Sequence, residues 1–231
     1  AYRVGGINDL WQMDLMEMIP YAKINKGYKY ILTCIDVFSR FARAVPMQNK
    51  TAKETSDAIS KMIKKEKPFH IQTDLGKEFY NSSVRQLFKQ HVINHYSVNS
   101  QFKASLVERF NRTLRERMNK LFTARGNKKW VGVLPSIIES YNNSVHRGIG
   151  MKPVEVTKEN EMKIWESQNQ TESKSKVKYK VGDYVRISKV KGPFLKNFDQ
   201  NWSDEVFIID EIDNKKPVMY TVKDENNERV S

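Results

Sequence analysis

The chain has 231 residues, with 40 Lys plus Arg against 27 Asp plus Glu and a formal net charge of +13. Hydrophobic residues make up 39% and aromatics 11%, enough to build a core, so a wholly disordered basic tail is excluded. No apolar run approaches the roughly 20 residues that a membrane span requires, and a single cysteine, Cys34, excludes an internal disulfide.

Residues 11–18 alternate apolar and polar side chains, and after the turn-like Asn25-Lys26-Gly27 come two more strand-like runs, 28–38 and 41–47. Together they predict an antiparallel three-stranded start. Thr51 followed by Glu54 is a capping-box pattern, and Ala58, Ile59, Met62 and Ile63 recur at helical spacing until Lys67-Pro68 stops the helix. A short strand at 69–73, an amphipathic helix at 81–90 and a strand at 92–98 follow, so a mixed α/β sheet is expected. From 104 to 124 the pattern is helical, with Val107, Phe110, Leu114, Met118 and Leu121 in one stripe. A second stripe runs through Trp130, Leu134, Ile137, Ile138, Tyr141 and Val145, with Pro135 marking a kink or the helix start. Residues 158–177 are polar with few apolar anchors and read as a helical linker. Residues 178–231 carry short strands between turns such as Gly182-Asp183, Gly192-Pro193 and Asp213-Asn214, as in a small β-barrel, and stop just after a further strand start. Trp202 is read as an anchor of that barrel's core in preference to an aromatic surface.

The charge is unevenly spread. Residues 101–150 hold ten Lys/Arg and three acids, whereas residues 201–231 hold four Lys/Arg and eight acids. A local positive field of this kind favours a polyanion, nucleic acid being the commonest, although a solubilising surface explains it about equally well. Asp14 stands mid-strand between apolar neighbours, a costly place for an unpaired carboxylate. Asp74 follows the strand at 69–73 and precedes Gly76, at the kind of strand end where open α/β sheets place ligands. Glu108 begins the long helix, and at 100° per residue it shares a face with Arg112, Arg115 and Asn119. Three carboxylates that converge are the ligands expected for Mg²⁺ or Mn²⁺. Taken singly, each has a plainer reading, as a turn former or as a surface pair of Glu108 with Arg112.

These residues carry a family resemblance. Asp14, then Asp74 in Thr73-Asp74-Leu75-Gly76-Lys77-Glu78-Phe79, then Glu108 in Val107-Glu108-Arg109-Phe110-Asn111-Arg112-Thr113-Leu114 resemble the D,D,E triad of retroviral-type integrases. More narrowly, Lys29-Tyr30-Ile31-Leu32-Thr33-Cys34-Ile35-Asp36-Val37-Phe38-Ser39-Arg40 and Lys103-Ala104-Ser105-Leu106-Val107-Glu108 resemble the integrases of Maverick/Polinton transposons and virophages. The run Asn201-Trp202-Ser203-Asp204-Glu205-Val206-Phe207 is similar to the SH3-like or chromo-like domain of that group. The interval from Asp74 to Glu108 is shorter than the usual retroviral one, and the family's His/His/Cys/Cys zinc module is absent from the residues given.

The resemblance implies an α/β fold: a ribonuclease H-like mixed-sheet catalytic core over residues 1–157, a linker over 158–177, and an all-β SH3-like or chromo-like domain over 178–231. It implies a polynucleotidyl transferase that processes the 3′ ends of a mobile element and transfers them into target DNA. Asp14, Asp74 and Glu108 would be both the catalytic residues and the ligands of two Mg²⁺ or Mn²⁺ ions, with no zinc in this chain. Lys103, Asn111, Arg112 and Arg115 would contact DNA. The implied partners are double-stranded DNA, a second or fourth copy of the chain, and chromatin through the C-terminal domain, with no membrane. With no signal peptide in view, the expected location is the nucleus, or the cytoplasm before integration, and not outside the cell. The alternatives are a catalytically silent DNA- or chromatin-binding descendant and a simple nuclease of the same fold.

Overall fold

In the computed structural model, which describes residues 4–97, 105–170, 177–188, 202–213 and 218–230, the alternation of residues 10–17 becomes β1 (Leu10–Glu17). It pairs antiparallel with β2 (Tyr30–Asp36), which pairs antiparallel with β3 (Ala42–Met47). On the other side β1 runs parallel to β4 (His70–Thr73), and β4 runs parallel to β5 (Asn94–Ser97), so the sheet order is β3-β2-β1-β4-β5.

Strand period decides what each face meets. Trp11, Met13, Leu32, Cys34 and Ile71 pack against α1 (Ala52–Ile63) and α2 (Ser82–Gln90) through residues such as Ile59, Met62, Val84 and Phe88. The opposite face, with Met16, Ile31 and Ile35, packs against α3 (Ser105–Arg125) and α4 (Leu134–Asn142) through Val107, Phe110, Leu114, Met118 and Ile137. The sheet is thus buried on both sides, and residues 12 and 14 project towards α3 because residues 11 and 13 project towards α1.

Gln12 is fully buried on that α3 face. Its Nε2 donates to Gln72 Oε1 on β4 at 3.0 Å, and its Oε1 accepts the backbone N–H groups of Leu106 and Val107 at 3.1 and 3.2 Å. Backbone N–H groups can only donate, so the amide oxygen must face α3 and the amide nitrogen must face β4. The first turn of a helix has N–H groups with no partner inside the helix, and here a side chain from the neighbouring strand supplies it. One residue therefore ties β1, β4 and the start of α3 together.

Other buried amides fix the connections. Asn25 donates to the carbonyls of Tyr21 and Lys128 and accepts from Trp130 N–H, which holds the chain after α3. Asn142 on α4 pairs with both backbone groups of Ala42 on β3. Thr51 Oγ1 accepts the N–H of Glu54, but the Glu54 carboxylate receives the N–H groups of Gln48 and Asn49, so only half of the expected capping box forms.

Three features depart from the sequence expectation. Residues Ile19–Asn25 form a 3-10 helix between β1 and β2. The second helical stripe is shorter than expected: Pro135 sits in the first turn of α4, Trp130 is buried before the helix begins, and Val145 is 67% exposed beyond its end. The segment read as a helical linker is helical over Glu161–Gln170 (α5), but its Ile164 packs with Val4, Leu10, Val37, Phe38 and Ile149, so it docks on the core. No helix among the described residues is long and apolar enough to cross a membrane.

Contacts divide the chain into Ala1–Asn169 and Gln170–Ser231. The second unit contains a four-stranded antiparallel sheet, β6 (Tyr184–Val185), β7 (Phe207–Asp213), β8 (Met219–Lys223) and β9 (Arg229–Val230), in that order. Among its described residues, Phe207 and Ile209 are the buried apolar ones. Trp202 is bridged to Ser188 and is 55% exposed, so it is not the core anchor expected of it. Asn201, the Gly192-Pro193 turn and Asn214 lie outside the described residues.

Gln12→Leu keeps the volume of the clamp but strands Gln72 and two helix N–H groups, so the core should lose about 2–4 kcal/mol of unfolding free energy. Chemical denaturation of the full chain measures it, and a loss below about 0.5 kcal/mol, the scatter of ordinary surface substitutions, would show that the clamp is not needed.

Candidate active site

Asp14 lies two residues beyond Gln12 on the same face of β1, opposite Thr33 of β2. Its Oδ1 accepts the N–H of Leu15 at 2.8 Å and its Oδ2 accepts Asn111 Nδ2 at 2.7 Å. Asn111 stands one turn after Glu108 on α3, so the helix reaches back to the strand through this bond. The other end of that amide, Asn111 Oδ1, is buried with no hydrogen-bond partner.

Asp74 follows the last residue of β4 and is two residues beyond Gln72. Its Oδ1 accepts Gly76 N–H at 3.0 Å, and Thr73 Oγ1 donates to its backbone carbonyl at 2.7 Å. Gly76 lies close under two carboxylates. A Cβ on it would lie 2.9 Å from Asp74 Oδ1 and 2.9 Å from Glu78 Oε2, closer than such atoms approach. Glu78 is thereby brought beside Asp74, which sequence reasoning did not single out. Behind Asp74, His95 Nε2 lies 2.9 Å from Thr73 Oγ1, and the imidazole sits against Tyr80 and Phe88. Because the Thr73 hydroxyl gives its proton to the Asp74 carbonyl, it accepts from His95 Nε2–H. Burial pushes the His95 pKa down to about 4, so the ring is neutral at physiological pH.

Glu108 is exposed in the first turn of α3, one residue after the Val107 N–H that Gln12 holds. No ion pair joins it to Arg112 among the described residues, so the plainer reading of a surface pair does not describe this rotamer. The three acids meet electrostatically. The Asp14 pKa is raised, chiefly by burial and further by the charges of Asp74 and Glu108, while the Leu15 and Asn111 hydrogen bonds oppose the rise. Arg112 and Arg115 are exposed on the same side of α3, and Lys103 lies outside the described residues.

As these side chains stand, no three of the described His, Cys, Asp and Glu residues close on one point as a formed metal site would. The donor chemistry nevertheless fits a hard divalent cation. The Asp14 carboxylate is repelled by those of Asp74 and Glu108, the buried Asn111 Oδ1 has no donor, and among the described residues no Lys or Arg forms an ion pair with the three acids. Such a cluster stores an electrostatic cost that a cation would remove.

Comparison with known proteins agrees with this architecture. Residues 6–99 match the family model of the integrase core domain. The chain is 38% identical over 193 residues to a transposon-derived protein of Caenorhabditis elegans, covering 83% of this chain and 66% of that protein. It is 30% identical over 139 residues to the Gag-Pol polyprotein of feline leukemia virus, covering 58% of this chain and 8% of the polyprotein. The chain thus spans just under two thirds of the nematode relative and a small part of the viral one. Among solved structures, the HTLV-2 integrase catalytic core domain in complex with magnesium superposes with a TM-score of 0.57 at 24% identity, covering 67% of this chain and 99% of that one. A simian T-cell lymphotropic virus intasome in complex with a PP2A regulatory subunit gives a TM-score of 0.60 at 18% identity, covering 90% of this chain and 72% of that one. At such identities these structures speak for the fold, and the five-stranded mixed sheet with its helices is the ribonuclease H-like fold of integrase cores.

The raised Asp14 pKa gives a signed expectation. A carboxyl that binds its proton more readily in the folded than in the unfolded state adds stability as pH falls and costs stability once ionised. At pH 7 in the presence of a chelator, Asp14→Asn should therefore raise the melting temperature, while abolishing any increase that Mg²⁺ or Mn²⁺ produces in the wild type. A variant less stable than the wild type in chelator would show that the Asp14 charge is compensated by groups other than a metal.

Proposed function

We propose that this chain, which carries an integrase core domain with homologues in retroviral polyproteins and a transposon-derived protein, is a DNA integrase. Its reaction would be 3′-end processing of a mobile element followed by strand transfer into target DNA. The observation that carries the reading is the meeting of Asp14, Asp74 and Glu108 at the corner of β1, β4 and α3, where the charges of two raise the pKa of the third. Two Mg²⁺ or Mn²⁺ ions held there would neutralise the charge that develops in an in-line phosphoryl displacement.

Each residue has a part in this reading. Asp14, Asp74 and Glu108 present the oxygen ligands. Asn111 fixes the Asp14 carboxylate through its 2.7 Å hydrogen bond, and Gly76 keeps the ground beside Asp74 open. Arg112 and Arg115, exposed one and two turns along α3 from Glu108 and without an ion pair among the described residues, would hold the phosphates of a DNA end beside the acids. Lys103, two residues before α3 in the sequence, would join them. Water attacks in end processing, and the freed 3′-hydroxyl attacks a target phosphodiester in strand transfer.

The wider assignments rest on motif resemblance. The runs around Cys34 and Glu108 favour kinship with Maverick/Polinton and virophage integrases. The four-stranded sheet of the C-terminal unit is compatible with an SH3-like or chromo-like barrel, and exposed Trp202 is available there for a chromatin partner. Joining two element ends calls for at least a dimer, and the site of action would be the nucleus.

A strand-transfer assay tests the proposal, with labelled DNA ends, supercoiled plasmid and Mg²⁺ or Mn²⁺. Joined products should form and should fall by about a hundredfold or more in Asp74→Asn, with DNA binding retained. Metal-dependent nicking without joining would replace the integrase with a nuclease. Binding without chemistry on any end would replace it with a catalytically silent descendant.

A further inference from the structure

A cleft of about 200 Å³ lies on the flank of α3 that faces away from the three acids. At about 100° per residue, Glu108 and Asn111 flank the buried Val107–Leu114–Met118 stripe on one side, and Arg109, Thr113 and Arg117 lie on the other. The cleft's polar wall is Arg109, Arg117, Tyr141, Ser144, His146 and Arg147. Among the described residues no carboxylate forms an ion pair with any of its three arginines. A cluster of this kind is neither a solvated helix face nor half of a salt-bridge network.

The side chains are arranged as donors. Arg117 donates to Ser140 Oγ at 3.1 Å and to Ser144 Oγ at 3.2 Å, and its guanidinium lies 5.5 Å over the Tyr141 ring. His146 Nδ1 accepts the Gly148 N–H, so a neutral ring carries its proton on Nε2. Arg40, from the turn between β2 and β3, adds a fourth cation. Its backbone sits in the left-handed region at φ 62°, and its Nε is buried with no partner. Its charge is felt at Tyr141 and at His146. Burial lowers the Arg40 pKa and Arg109 adds to the fall, against the opposing pull of Tyr141 and Asp36, while burial, Arg40 and Arg109 lower that of His146. The Arg40 guanidinium donates to the Val37 carbonyl, so it is held in place with one buried N–H left over.

We propose that this cleft binds a phosphate group, through the guanidinium groups of Arg109, Arg117 and Arg147 with Arg40 behind them. Planar guanidinium forks match phosphate oxygens two at a time, and the cleft is lined by three arginines with no carboxylate among its walls. The volume is below the ~300–1,000 Å³ of pockets that enclose a drug-sized ligand, so it takes a single phosphate rather than a whole nucleotide. That phosphate comes from a DNA backbone crossing the far flank of α3 or from a free polyphosphate. The proposal does not rest on the catalytic reading, because a silent descendant would keep the same cleft.

The test uses the full chain and the double variant Arg109→Ala/Arg147→Ala, both exposed side chains that hold no other residue in place. Duplex DNA binding by fluorescence anisotropy across a salt series is the first arm, and the melting temperature against added pyrophosphate is the second. If the phosphate belongs to DNA, the variant's slope of log K against log salt should be shallower by about 0.9, or about 3.5-fold less loss of affinity between 50 and 200 mM salt. If it belongs to a free polyphosphate, pyrophosphate should raise the melting temperature of the wild type but not of the variant, with the DNA slope unchanged. A folded variant with wild-type behaviour in both arms overturns the proposal. Since neither arm reads chemistry, a failure of strand transfer would leave this outcome legible.

Discussion

The buried amide of Gln12 is the interaction on which the candidate site depends. It lies two residues before Asp14, its partner Gln72 lies two residues before Asp74, and the α3 N–H groups it holds lie one and two residues before Glu108. Strand period makes the first relation a shared face, and chain continuity makes the other two a fixed short distance. Three acids from three elements are thus located by a single hydrogen-bonded junction that is itself buried. An amide suits the task because it offers an acceptor to α3 and a donor to β4 at once without placing another charge among three carboxylates.

This arrangement explains why the acids tolerate one another without closing into a formed site. Asp14 is half-buried and held at both oxygens, whereas Asp74 and Glu108 are exposed. The rigid member sits on the central strand, and the two more adjustable members sit at a strand end and a helix start. A cation would need to draw in only the exposed pair. The same helix then separates two regions: Glu108 and Asn111, with Arg112 and Arg115 further along, on one flank, and the cleft of Arg109, Arg117 and Tyr141 on the other, with the apolar stripe between them.

Much of the core was legible in the sequence because its signals are local. Alternation marked β1, strand-like apolar runs marked β2 and β3, the Thr51 cap placed α1, and the Val107 to Met118 spacing placed α3. The junction was not legible. Gln12 reads as one more outward polar residue on a half-buried strand, and only the arrival of α3 buries it. The three acids were joined in the sequence by resemblance to a motif, not by geometry. Glu78 was passed over because its nearness to Asp74 depends on the turn at Gly76, and the arginine cleft because its members come from the β2–β3 turn, α3, α4 and the segment after it. Trp202 was misread because aromatic residues at strand starts are usually packed, whereas this one is exposed.

The central claim is that the Gln12 junction holds three carboxylates within reach of one divalent metal site. A Mn²⁺ titration of the full chain followed by electron paramagnetic resonance, comparing wild type with folded Gln12→Leu, tests it without any DNA chemistry. The account predicts that the variant, whose substituted residue touches no metal, binds Mn²⁺ about 10–100-fold more weakly than the wild type. Equal Mn²⁺ affinity in the two proteins would contradict it.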